Sequence, residues 1–244
     1  MSSPAFVIVG ASGGIGSEVC RRIAKPGVRL VLAARDTARL EALASELGSE
    51  CVVEECDATN SAGVEALFAR AAAAGPVVGA VNLCGSILLK PAHTTTDQEF
   101  ADTLAANVTT AFNVLRSAVK VMTDGGSVVL MSSVAARFGL ANHEAIAAAK
   151  GAVNGLVLAA AATYAPRKIR VNAVAPALVR TPLSAKITGN ELALKASTAM
   201  HPLGRIGEPS DVAAVVVWLL GGDSGWVTGQ VFGVDGGMST VKGK

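Results

Sequence analysis

The chain has 244 residues, 51% of them apolar and 16% charged, with a formal net charge of +2. That length suits one open α/β sheet and a core large enough to need no disulfide or metal staple. The composition excludes a disordered chain, and the small charge without any Lys/Arg block gives nucleic-acid or anionic-membrane binding no electrostatic support.

Along the chain, short apolar runs alternate with longer helical patterns. Strands are predicted at Phe6–Val9, Arg29–Ala33, Cys51–Glu54, Ala80–Leu83, Ser127–Met131, Ile169–Ala173 and Gln230–Val234. These runs are continuous rather than alternating, as strands covered on both faces require. Between them Thr37–Leu47, Ser61–Ala73 and Asp97–Val121 carry apolar residues at helical spacing. Repeated β-α-β units imply right-handed crossovers and a Rossmann-type doubly wound parallel sheet of seven strands, a three-layer α/β/α sandwich.

No Pro/Gly/Ser-rich linker divides residues 1–244, so a single dinucleotide-binding domain is expected. One stretch is irregular, between Pro176 and Pro209, with Pro182 and Pro202 and a polar middle. Ligands of open α/β sheets bind beyond the carboxyl ends of the strands, which makes residues 177–208 a predicted substrate lid. A plain surface excursion is the alternative. Cys20, Cys51, Cys56 and Cys84 lack zinc-like pairing and read as reduced, mostly buried thiols of a cytoplasmic protein; no metal is expected. Ala5–Val9 is too short for a secretory core, and runs such as Val212–Leu220 fall short of a membrane span.

The segment Phe6-Val-Ile-Val-Gly-Ala-Ser-Gly-Gly-Ile-Gly16 reads as a strand, a glycine turn and a helix start. Gly10 permits a tight turn, Gly14 a close backbone approach to a pyrophosphate, and Gly16 close packing of the helix. The free N–H groups and dipole of that helix favour an anion. Its place at the first strand-to-helix junction is the context that a dinucleotide site requires.

The spacing G-x-x-x-G-x-G resembles the short-chain dehydrogenase/reductase family, and the resemblance extends over nearly the whole chain. It implies that Gly10, Ser12, Gly14, Ile15 and Gly16 meet a nicotinamide dinucleotide. Asp57 and Ala58, in Cys-Asp-Ala-Thr, correspond to the adenine contact after the third strand. Asn82-Leu-Cys-Gly85 is similar to the family's Asn-Asn-Ala-Gly, departing at Leu83 and Cys84. Asn107 matches the active-site asparagine, and Pro176, Val179 and Thr181 fall in the segment that holds the carboxamide and pyrophosphate. Pro202–Pro209 and Val227-Thr-Gly-Gln230 match as well.

Cofactor choice turns on Leu32-Ala-Ala-Arg-Asp36. An acid at the end of the second strand binds a ribose 2′-hydroxyl, whereas a cation accepts a 2′-phosphate. Ala34 occupies the acid position and Arg35 follows, with a guanidinium able to take a phosphate bidentately, so NADP(H) is expected ahead of NAD(H). Two alternatives stand beside this: Arg35 as a solvated residue opening the next helix, and Asp36 turned toward the same site.

The family's hydride chemistry uses a Ser, a Tyr and a Lys. Here Ser133 and Lys150 occupy their positions, but Tyr-x-x-x-Lys reads Ile146-Ala-Ala-Ala-Lys150. The only tyrosine, Tyr164, lies about 27 Å further along the same predicted helix at about 1.5 Å per residue, out of reach. His143 precedes Lys150 by seven residues and returns to nearly the same helix face. That spacing also resembles the Tyr-to-Lys spacing of the family's enoyl-reductase branch, with His in the Tyr position. Imidazole titrates near neutral pH and is able to exchange a proton with substrate or water. Alternatively, Asn142-His143-Glu144 is a polar helix start, with Asn142 capping and His143 facing solvent. His93 and His201 are expected to be exposed in loops. Ser133, Lys150, Asn107 and His143 are thus the candidate catalytic residues of an NADP(H)-dependent oxidoreductase. A dinucleotide-binding protein without dehydrogenase activity, with a sensory or assembly role, is the rival reading. The partners expected are a small-molecule substrate and, as the family resemblance implies, a second or further copy of the chain, as homodimer or homotetramer, through the Ala-rich helix Lys150–Ala165; that face packed within its own subunit is the alternative.

Overall fold

A computed structural model describes residues 3–48 and 50–242. The described strands form one parallel sheet: β1 Ala5–Val9, β2 Arg29–Ala34, β3 Glu50–Glu55, β4 Val77–Asn82, β5 Gly126–Met131, β6 Ile169–Pro176 and β7 Val231–Val234. Their order is β3-β2-β1-β4-β5-β6-β7. The chain therefore winds one way to β3, then crosses back and winds the other way. The crevice opens between β1 and β4, where Val9 lies opposite Asn82 in the register.

Helices cover both faces. On one lie α1 Gly14–Ile23, α2 Thr37–Leu47 and α9 Pro209–Leu220. On the other lie α3 Ser61–Ala74, α5 Thr110–Val121 and α6 Glu144–Tyr164. Within β1, Ile8 packs with Val19, Leu40 and Val216, whereas Val7 and Val9 pack with Leu67, Val114 and Val157. Successive residues of a strand thus bury in opposite layers, which is why the strand runs are apolar without alternation. The edge strand β3 is the exception: Glu50, Val52 and Glu55 remain exposed along it.

The predicted helix Asp97–Val121 is not continuous. It comprises α4 Asp97–Leu104, one wide π-helical turn at Ala105–Thr109, and α5. The stretch between Pro176 and Pro209 carries structure of its own: a short turn at Pro182–Ser184, α7 Ala185–Thr188 and α8 Glu191–Ala199. Paired backbone bonds between Leu178, Arg180 and Gly207 close its base. His201, expected to be exposed, is 4% exposed instead. It follows the last turn of α8, where the Ser197 carbonyl accepts its Nδ1–H at 2.7 Å, and the Gly236 backbone packs against its ring. The segment Glu144–Arg167 is long and apolar enough by composition to cross a membrane, a property the sequence reading did not register. In this fold Ile146, Lys150, Val153 and Val157 on α6 are buried.

Arg170 fastens the sheet to the end of α9. Its guanidinium donates to the carbonyls of Leu219 and Gly221 at 2.9 and 3.0 Å and to Ser224 Oγ at 2.9 Å. Burial lowers its pKa from the ordinary arginine value. The two carbonyls keep hydroxyl donors from Ser127 and Ser224, but Arg170→Met removes the charge-assisted bonds and should cost about 2–3 kcal/mol in denaturant unfolding. An unchanged midpoint and slope would remove this clamp from the account.

Candidate active site

The glycine turn is set by two steric facts. Gly10 has φ +87°, and its N–H donates to the Ala33 carbonyl at 2.8 Å. A Cβ on Gly16 would sit 2.2 Å from the Gly10 carbonyl oxygen, so the turn folds back directly onto the first turn of α1. Gly13 is the cap position of α1, with no side-chain hydrogen bond and no acidic residue in the first turn. Such a helix start leaves N–H groups for an anion, and the residues present fit a dinucleotide pyrophosphate there. Thr181 closes over this turn, its Cγ2 3.0 Å from the place a Cβ on Gly14 would take. Ser12 and Ile15 are half-buried beside it.

At the ends of β2 and β3 the polar groups are unevenly committed. Asp36 caps α2 by accepting from Arg39 N–H at 3.2 Å and pairs with the Arg39 guanidinium at 3.2 Å. Arg35 is exposed and has no hydrogen bond or ion pair among the described residues. Asp57 accepts from the Thr59 N–H and hydroxyl at 2.9 and 2.8 Å. These bonds hold its carboxyl below the ordinary carboxylate range, and the Arg35 charge lowers it further. Ala58 is buried, and its carbonyl accepts from Asn113 at 3.0 Å.

A cavity of about 380 Å³ lies beyond the ends of β4, β5 and β6. It gathers Ile15, Gly85, Asn107, Ser133, His143 and Lys150 with Pro176, Val179 and Thr181. Gly10, Ser12, Gly14, Gly16, Arg35, Asp57, Ala58 and Asn82 lie outside its lining. Asn82 is buried at the end of β4, donating to Thr110 Oγ1 at 3.1 Å and accepting from Cys84 N–H at 3.3 Å. Asn107, in the π-helical turn, donates to the Thr103 carbonyl at 2.9 Å and to Ser86 Oγ at 3.0 Å. A wide turn of this kind is a common device for placing a side chain at a site. Ser133 Oγ accepts from Ala135 N–H at 3.2 Å.

Lys150 is 6% exposed, and its ammonium donates to the Met131 carbonyl at 2.8 Å. Burial pulls its pKa from 10.5 down to about 8, partly offset by the neighbouring Cys84 thiol. Burial likewise pushes Cys84 up to about 11. The four cysteines form no disulfide; Cys20 and Cys56 are buried, Cys51 and Cys84 half-buried. One turn before Lys150, Ile146 is 4% exposed and lines the cavity. Tyr164 lies at the other end of α6, with the Arg167 guanidinium 5.8 Å from its ring centroid.

His143 lines the cavity at the cap position of α6. Asn142 does not cap: it takes φ +64°, a left-handed conformation that Asn tolerates, and turns the chain into the helix. His143 Nδ1 lies 2.7 Å from the Ala141 carbonyl. A carbonyl only accepts, so Nδ1 carries the proton, and in the neutral ring Nε2 keeps its lone pair. The Met131 carbonyl and Ser86 were missed by sequence reasoning. The first is a backbone group, and the second is an unremarkable serine until the π-helical turn brings Asn107 to it.

The family model described as enoyl-(acyl carrier protein) reductase matches residues 10–239. The chain is 35% identical to a galactitol 2-dehydrogenase (L-tagatose-forming) of Cereibacter sphaeroides, over 95% of this chain and 93% of that one. It is also 35% identical to an inactive 2-(S)-hydroxypropyl-CoM dehydrogenase of Xanthobacter autotrophicus, over 91% of this chain and all of that one. Among solved structures, a variant of the actinorhodin polyketide ketoreductase with NADPH superposes with a TM-score of 0.91 at 30% identity, covering 98% of both chains. The chain belongs to the short-chain dehydrogenase/reductase family of oxidoreductases.

The buried amine gives a signed prediction. Between pH 8 and 10.5 the folded chain has released the Lys150 proton that the unfolded chain still holds. The unfolded state then binds more protons, so this group makes stability rise with pH across that window. Compared with Lys150→Met, wild type should gain on the order of 3 kcal/mol from the lower to the upper end. Parallel stability–pH curves for the two proteins would contradict the lowered pKa.

Proposed function

We propose that this protein is an NADP(H)-dependent oxidoreductase in which His143 takes over the proton transfer that the family assigns to a tyrosine. Position 146, four residues before Lys150, is the buried Ile146, which has no proton to exchange. The observation that carries the reading is the placement of His143. It shares the cavity with Ser133, Asn107 and Lys150, and its Nδ1–H is committed to Ala141. Nε2 is thereby the atom left to take and return a proton.

NADPH, when bound, supplies a hydride to the electrophilic carbon of a carbonyl or an activated double bond, and NADP⁺ accepts one in the reverse direction. In reduction the imidazolium form of His143, protonated at both ring nitrogens, gives its Nε2 proton to the developing alkoxide, and the neutral ring then takes another proton from water. In oxidation neutral Nε2 takes the alcohol proton. Ser133 donates to the substrate oxygen, while Lys150 and Asn107 support the cofactor side of the cavity. Arg35 receives the 2′-phosphate; its lack of an ion pair and the commitment of Asp36 to the α2 cap both support NADP(H) over NAD(H). The segment 177–208 acts as a lid over the substrate. Gly151, Gly155 and Leu158 are exposed on α6 and suit its packing against a second copy of the chain, in a homodimer or homotetramer.

A second reading has support of its own: an NADP(H)-binding protein without turnover. Ile146 favours it, and one relative carries the name of an inactive dehydrogenase.

NADPH should bind more tightly than NADH in fluorescence titrations. Arg35→Ala should weaken NADPH about tenfold or more while changing NADH little, since a charge-assisted bond contributes about 1.5–3 kcal/mol. Equal affinities for the two cofactors in wild type would refute the role of Arg35. His143→Ala should keep NADPH binding and lose turnover about 100-fold or more on a carbonyl and enoyl panel. Unchanged turnover in that variant removes the histidine role. Absence of turnover in wild type, with activity appearing in Ile146→Tyr, establishes the second reading.

A further inference from the structure

Large apolar side chains left exposed by a folded chain are informative when they converge on one hollow. Ile87, Leu89, Leu183 and Met200 are 40%, 44%, 56% and 42% exposed, and all four line the cavity. Leu140 and Ile187 join them. These six come from three separate parts of the chain: the loop after β4, the loop before α6, and the segment from Pro182 to α8. Folding leaves their surface in contact with water although the chain has ample core to absorb it. An apolar ligand body recovers that contact.

The same lining contains no Asp, Glu or Arg. Lys150 is its only lysine, and its ammonium is bound to the Met131 carbonyl at the end of β5. It also lies 3.5 Å from the place a Cβ on Gly85 would take, at the strand-end floor rather than the outer wall. Of the serines in the lining, Ser132 donates to Asn154 and Ser184 to the Val179 carbonyl, whereas Ser86, Ser133 and Ser197 offer only neutral hydroxyls. A carboxylate or phosphate on the far side of a substrate would lose its water and find no cationic partner there, only neutral hydroxyls. At about 380 Å³ the cavity is also at the small end of ligand pockets, which span roughly 300–1,000 Å³, and the nicotinamide needs part of it.

We propose that the substrate is a small uncharged ketone or secondary alcohol, or the corresponding enone, whose body away from the reacting oxygen is hydrocarbon. This rests on the oxidoreductase reading of the same cavity. It adds that the outer wall selects by polarity, with Leu183, Ile187 and Met200 supplying much of the contact.

The test holds shape nearly constant and changes charge. Cyclohexanone bearing a para-carboxylate and the methyl ester of that compound are titrated calorimetrically at neutral pH into the protein, alone and saturated with NADP⁺. The ester should bind at least tenfold more tightly than the carboxylate, about 1.4 kcal/mol. Ile187→Lys should narrow or reverse that ratio while leaving the affinity for NADPH unchanged. Carboxylate binding as tight as the ester, or no binding of either compound with or without NADP⁺, overturns the proposal. The functional reading fails separately and visibly: NADPH then does not bind in the parallel titration, or the bound ester is not reduced when NADPH is supplied.

Discussion

The carbonyl oxygen of Gly10 faces the Cα of Gly16 across a gap too narrow for any side chain. Everything at the sheet's carboxyl edge is placed by that contact. It brings the start of α1 against the end of β1, next to the crevice where the strand order reverses between β1 and β4. It leaves the α1 N-terminus uncapped and aimed at the space over which Thr181 closes. The parallel sheet then determines what else reaches this edge. The carboxyl ends of β2, β4, β5 and β6 deliver Arg35, Asn82, Ser133 and Pro176 side by side, although these residues are far apart in sequence.

The groups at this edge differ in how far they are already satisfied. Asn82, Asn107 and Ser132 are fastened into bonds within the protein and act as framework. Asp36 is committed to its helix. Arg35, the Ser133 hydroxyl hydrogen and the Nε2 face of His143 keep capacity for something else. Lys150 stands between these cases: it is bonded to Met131, yet burial has brought its pKa down to about 8. Two of its three ammonium hydrogens have no partner in its one hydrogen bond, so a ribose hydroxyl can be received without breaking it.

How much of this was legible beforehand depended on the range of the interaction involved. The strands were readable because burial on both faces makes each of them apolar throughout, and the glycine turn because only glycine fits it. The family motifs located Ser133, Lys150 and Asn107 along the chain. The π-helical turn at Ala105–Thr109 was not legible, because its apolar spacing resembles that of a continuous helix and the widening is settled by tertiary contacts. His201 looked like a loop residue because its partners, the Ser197 carbonyl and the Gly236 backbone, are set by the path of the chain after α8 and by β7's far end. The alternative reading of the segment made Asn142 a cap, from residue type alone. The backbone instead spends Asn142 on a left-handed turn and leaves His143 at the cap position, with its ring on the cavity.

The central claim is that this edge receives NADP(H) in one orientation, with the 2′-phosphate at Arg35 and the nicotinamide beside His143 and Lys150. A crystal structure of the protein with NADP⁺ tests it most directly. The account predicts the pyrophosphate on the N–H groups at the start of α1 and the 2′-phosphate within hydrogen-bond distance of the Arg35 guanidinium. It also predicts the nicotinamide inside the cavity lined by Ser133, His143 and Ile146. A dinucleotide bound with its 2′-phosphate in solvent away from Arg35, or with its nicotinamide outside that cavity, contradicts it.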